Sequence, residues 1–201
     1  MKKFFYLFVL LFFVDFIMVI TGFSSNFDNA ISLFFSVHNN VTFTNTFKII
    51  SFICSPKFMI VLNVLLFIFI ILKKKYKLSI IVLSSISSVI INNLVKIIVR
   101  RERPDYLRMV MEKSYSFPSG HAMISVLFFG SIIYLVNKYN LKYKKLITFS
   151  LSTFVLLVGI SRIYLGVHYL TDVVGGYLLG FIVLFLIIHL FERKKFVWKH
   201  L

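Results

Sequence analysis

Three features of the 201-residue chain predict an all-α, polytopic membrane protein with six transmembrane helices and an interfacial amphipathic segment between spans one and two. Hydrophobic residues make up 59% of the chain and mean hydropathy is +0.92, more apolar surface than one soluble core of this length can hide. The apolar residues fall into runs close to the ~20 residues that cross a bilayer as a helix. Lysines and arginines collect in the gaps between those runs. No repeat or low-complexity linker interrupts the pattern, so residues 1–201 read as a single domain.

Residues 4–21, preceded by Lys2 and Lys3, form the first run; no small-x-small cleavage site follows, so we expect an uncleaved span. Asp15 lies inside it and must face other helices or water, because an ionised carboxylate in lipid is costly. From Gly22 to Pro56 polar residues such as Asp28, Asn29 and Asn39 interleave with Phe34, Phe35, Phe43 and Phe47, the pattern of one or two amphipathic helices at the interface. The second run, residues 58–72, is short and is expected to begin at Pro56 or before. Residues 78–99 make the third span, with Asn92, Asn93 and Lys96 near its end either snorkelling or lining a site. A charged loop, 100–117, precedes the fourth span, which runs from Pro118 to Val136. A basic connector at 138–145, a fifth span at 146–160, a mixed segment at 161–172, a sixth span at 173–191 and a basic tail at 192–201 complete the chain.

Net charge of +16 would suggest nucleic acid for a soluble protein. Between apolar spans it is what the positive-inside bias produces, so nucleic-acid binding is set aside. With six spans, 14 of the 23 basic residues fall on the side of both termini and 9 on the other. The majority predicts cytoplasmic termini in the plasma membrane. The minority, concentrated between Lys96 and Lys113, runs against the bias and points to an anionic ligand on the outer face. Cys54 is the only cysteine, which excludes an intrachain disulfide and a CxxC metal site. His38, His189 and His200 lie away from the polar clusters and read as structural.

Three polar segments fall at the outer ends of spans three to six. Lys96 and Arg103 are seven residues apart and share a helix face if the third span continues that far, with Pro104 breaking it. Such a guanidinium can fork onto a phosphate while the lysine adds a point charge. Pro118-Ser119-Gly120-His121 starts a helix whose free N–H groups, close backbone approach at Gly120, Ser119 hydroxyl and His121 imidazole suit an anion and a proton transfer. Ser161-Arg162 supplies another cation, and His168 and Asp172 are four apart, so that on a helix the carboxylate holds the Nδ1 proton and leaves Nε2 free as nucleophile or base. Tyr115, Tyr164 and Tyr169 lie nearby as belt residues or lipid contacts. No carboxylate or cysteine cluster has metal-ligand spacing, so no metal or other cofactor is expected.

The combination Lys96-x6-Arg103-Pro104, Pro118-Ser119-Gly120-His121 and Ser161-Arg162-x5-His168-x3-Asp172 resembles the three-part signature of the type 2 phosphatidic acid phosphatase superfamily, membrane branch, without gap or substitution. The resemblance implies that His168 attacks phosphorus to give a phosphohistidine, that Asp172 orients it, and that His121 protonates the leaving oxygen and later activates water. Lys96, Arg103, Ser119, Gly120 and Arg162 would hold the phosphoryl oxygens. Expected substrates are membrane lipid phosphates or diphosphates, with undecaprenyl diphosphate favoured over phosphatidylglycerophosphate and phosphatidic acid. Transfer to another acceptor, or lipid-phosphate transport without cleavage, are the rival readings.

Overall fold

The computed structural model describes residues 2–105 and 108–197; His200 and the end of the basic tail lie outside the described residues. Helix accounts for every regular element among them: α1 Lys2–Ile20, α2 Ser25–Val37, α3 Val41–Ile53, α4 Pro56–Leu72, α5 Ser79–Val99, α6 Gly120–Lys138, α7 Lys144–Tyr164 and α8 Leu170–Val197, with a single 3-10 turn, Tyr76–Leu78, before α5.

Local chemistry sets the breaks. Asn40 caps α3 by accepting from Thr42 N at 2.8 Å, and Ser55 caps α4, whose first residue is Pro56, so that no N–H is wasted. α5 ends at Arg100, which takes the left-handed conformation with φ 51°. α6 begins at Gly120 behind Ser119, whose side chain makes no capping bond.

Among the described residues five helices are long and apolar enough to cross a membrane, and six spans result if α3 and α4, bent by 41° at their junction, count as one. Here the expected division shifts. With 17 residues α4 rises only about 25 Å, short of a ~30 Å hydrocarbon core, and α3 supplies the rest. Taken together, α3 and α4 have the length and composition of one bent span, and α2 packs on α7 and α8. α7 and α8 also begin or end beyond the expected limits, which puts Arg162 in the last turn of α7 and Asp172 in the first turn of α8.

The central helix is α6, packed by α5, α7 and α8, with α1 laid against α8 and α4 against α5. Met123, Val126 and Leu127 of α6 meet Val155 of α7 and Leu179, Val183 and Leu184 of α8. On its other flank Ile124 and Phe128 meet Met59, Ile80 and Ile81. A helix that is apolar all round has neighbours all round. The C-terminal ends of α5 and α7 and the N-terminal ends of α6 and α8 consequently converge at one end of the bundle.

Candidate active site

At that end the loop from Arg101 to Ser119 crosses the helix termini and ties them together. Lys96, in the last turn of α5, donates to the Tyr115 carbonyl and lies 3.4 Å from Ser114 Oγ and the Ser116 carbonyl. Arg103 does not extend α5, so the expectation that it shares a helix face with Lys96 fails: Arg100 ends the helix first. The loop nevertheless brings the two cations together, because Arg103 donates through Nε to Ser114 O at 2.7 Å and through Nη2 to Ser114 Oγ at 3.1 Å.

His168 precedes α8 rather than lying on it, and its ring is buried. Arg103 Nη1 is 3.2 Å from His168 Nε2 and 2.6 Å from the Val167 carbonyl. Since a guanidinium only donates, Nε2 carries the lone pair and Nδ1 the proton. Nδ1 faces Asp172 Oδ2 and Ser116 Oγ, each at 3.4 Å. Burial, followed by the charges of Arg103, Arg162 and Lys96, holds His168 well below the ordinary histidine range, so the ring is neutral at neutral pH. The expected pairing of His168 with Asp172 is present in this form, though their geometry comes from a turn leading into a helix.

Asp172 is enclosed. Its Oδ2 accepts from the Ser116 hydroxyl and from Tyr169 N at 2.9 Å, its Oδ1 from Arg101 Nη1 at 2.7 Å, and its backbone carbonyl from Ser119 N at 2.8 Å. This last bond fixes the Pro118–His121 turn to α8. Asn92 holds the same turn from α5, donating to the Pro118 carbonyl at 3.1 Å. Close approach also matters: a Cβ on Gly176 would stand 2.6 Å from the Ser119 carbonyl.

A cavity of about 330 Å³ opens on these groups, lined at its polar end by Lys96, Arg103, Ser114, Gly120, His121 and His168. Its opposite wall is apolar, from Met59, Ile60, Ile86 and Val89, and it runs on into a groove of about 520 Å³ between α4 and α5. Arg162 stands behind the polar end, buried, with its guanidinium bonded to Glu112 at 2.5 Å and to Ser51. Arg162 Nε and Ser119 Oγ are buried without a partner among the described residues. Lys96 and Arg103, facing one cavity, are repelled by each other, which an anion between them would relieve.

Sequence reading placed Lys96, Arg103, Ser119, Gly120, His121, Arg162, His168 and Asp172 in one site, and all eight gather at this end of the bundle; Lys96, Arg103, Gly120, His121 and His168 line the cavity, while Ser119, Arg162 and Asp172 are buried behind it. It missed Arg101, Ser116, Glu112 and Asp28, and left Asn92 between two readings. Arg101 and Glu112 sat among several charges of one loop with nothing to rank them, and Asp28 is 144 residues from Asp172 in sequence, its burial a tertiary fact.

The PAP2 superfamily model matches residues 77–196, which contain every one of the eight. The chain belongs to the PAP2 superfamily. Family membership covers α5 to α8 and the loop that ties them, and it leaves α1 to α4 outside the match. Phosphatidylglycerophosphatase B of Bacillus subtilis (strain 168) is 40% identical over 109 residues, 53% of this chain and 54% of that protein, so the match spans about half of the curated relative. The crystal structure of a transmembrane PAP2-type phosphatidylglycerolphosphate phosphatase from Bacillus subtilis superposes with a TM-score of 0.81 at 29% identity, over 92% of this chain and 96% of that one. LpxE of Aquifex aeolicus shares the fold, with a TM-score of 0.63 at 21% identity over 79% and 92% of the two chains.

Proposed function

We propose that this PAP2 protein is an integral membrane lipid phosphatase that removes the terminal phosphoryl group of a lipid phosphate through a phosphohistidine on His168. The observation that carries the reading is the orientation of His168: Arg103 faces Nε2, Asp172 and Ser116 face Nδ1, and the residue lines a cavity together with Lys96 and Arg103. In this scheme Nε2 attacks phosphorus while Nδ1–H is held by the carboxylate. His121, at the same polar end of the cavity, protonates the leaving oxygen and then activates the water that releases phosphate. Lys96, Arg103, the Ser119 hydroxyl, the Gly120 N–H and, where the phosphoryl displaces Glu112, Arg162 hold the charge that develops on the phosphoryl oxygens. These fixed cations do the work of a divalent ion, so turnover proceeds without metal.

The apolar groove between α4 and α5 supports a lipid substrate, since a tail seated there places its head group against Lys96 and Arg103. The similarity to phosphatidylglycerophosphate phosphatases supports phosphatidylglycerophosphate ahead of undecaprenyl diphosphate, the substrate favoured from sequence alone, and of phosphatidic acid. Each carries a terminal phosphoryl on an apolar body, and transfer to an acceptor other than water would use the same intermediate. The charge distribution supports cytoplasmic termini and a site at the outer face. We read residues 1–201 as one functional unit.

Phosphate release from purified protein, measured on all three lipids with chelator present, tests the assignment. The expected result is release from phosphatidylglycerophosphate above the other two. Binding of the lipids with no release from any of them would favour a carrier, and release restored only by a divalent ion would overturn the metal-free mechanism.

A further inference from the structure

Behind the candidate triad of His168, His121 and Asp172 lies a second layer that no signature residue accounts for. Asp28, in the first turn of α2, is fully buried, and both of its oxygens are engaged: Oδ2 accepts from Arg101 Nη2 at 2.7 Å and from Thr171 Oγ1 at 2.6 Å, and Oδ1 from Thr171 N at 3.1 Å. The other arm of Arg101, Nη1, donates to Asp172 Oδ1 at 2.7 Å and to Thr171 Oγ1 at 2.8 Å. The guanidinium plane stacks on the Tyr169 ring, 4.3 Å from its centroid. One guanidinium thus bridges two buried carboxylates, one from α2 and one from the triad.

We infer that Asp28 and Arg101 are positioning residues for the proposed phosphatase reaction, acting on His168 through Asp172, and that α2, outside the family-matched residues, is in this way part of the catalytic apparatus. Arg101 fixes Oδ1 so that Oδ2 is presented to Ser116 and to His168 Nδ1. It also draws charge from Asp172, lowering the carboxylate's ability to stabilise an imidazolium. Asp28 opposes that draw by sharing the guanidinium. The balance between them sets the basicity of His168. Other groups face the His168–Asp172 pair: Asp15 from α1, Lys96 from α5, His121 from α6, and Arg162 from α7. From the loop come Arg103 and, on Arg162, Glu112. Among the described residues none of these touches Asp28, and only Arg101 bonds both carboxylates.

The inference rests on the phosphohistidine reading, and the two fail separately. The test is the pH dependence of kcat in Asp28→Asn and Arg101→Gln, with Arg101→Lys as the conservative variant, each checked for thermal unfolding in detergent. Loss of on the order of tenfold in kcat is expected for either charge-removing variant, with part of it recovered in Arg101→Lys. The acid limb should move in opposite directions by ~0.5 pH unit or more, up in Arg101→Gln, where a cation near His168 is gone, and down in Asp28→Asn, where an anion is gone. Shifts in the same direction, or lowered kcat with an unmoved limb and a lowered unfolding temperature, overturn the inference in favour of a structural pin. If wild-type protein released no phosphate, the parent reading would be at fault instead.

Discussion

His168 is a histidine kept neutral by its surroundings. Burial first, and then Arg103, Arg162 and Lys96, disfavour its protonation. The consequence has a definite sign. In the unfolded chain the ring titrates near the ordinary ~6.5, whereas in the folded protein it takes up its proton only at lower pH, so the unfolded state binds more protons in between. Stability contributed by the neutral ring is complete above pH ~6.5 and is lost as pH falls below it. With His168 as the proposed nucleophile, the acid limb of kcat should likewise lie below pH 6.5. Measuring the pH profile of kcat together with the unfolding temperature checks this; a limb above pH 6.5 would mean that His168 is not the group being titrated.

At the scale of elements, the site depends on helix ends held at short distances by small residues and backbone bonds. Ser119 N donates to the Asp172 carbonyl across the α6–α8 junction, and Gly176 permits the approach. Gly176→Ala would force its new methyl against the Ser119 carbonyl, a backbone atom that cannot rotate away. About 1–3 kcal/mol of destabilisation is expected, together with reduced kcat from a displaced turn, readable by thermal unfolding and steady-state rates. Unchanged stability and rate would show that the junction has slack. This scale also explains what the sequence made legible. The long apolar runs located α1, α5, α6, α7 and α8 because a bilayer demands length, and that demand is local in sequence. The bent pair of α3 and α4 was not legible as a unit, because Ser55 and Pro56 interrupt it and its first half carries Asn and Thr among its apolar residues. Lys96 and Arg103 were rightly brought together on a wrong geometric ground, since a loop, and not a continued helix, joins them.

For the molecule as a whole, a central helix and three neighbours carry the PAP2 match, and the remaining helices close it against lipid and water. α1 covers α8, α2 supplies Asp28 to the back of the site, and α4 with α5 walls the apolar groove. The spacing of the three signature segments was legible because reaction chemistry fixes which side chains must appear. The supporting layer of Asp28, Arg101, Ser116 and Glu112 was not, because its partners are set by packing between elements far apart in sequence. The proposed reaction puts the chemistry at one atom, His168 Nε2. Rapid-quench labelling with a lipid phosphate carrying a labelled terminal phosphoryl tests it most directly. The account predicts a transient, alkali-stable and acid-labile label on the wild-type protein, and neither label nor phosphate release in a folded His168→Ala variant. Turnover retained in that variant, or label on another residue, would contradict it.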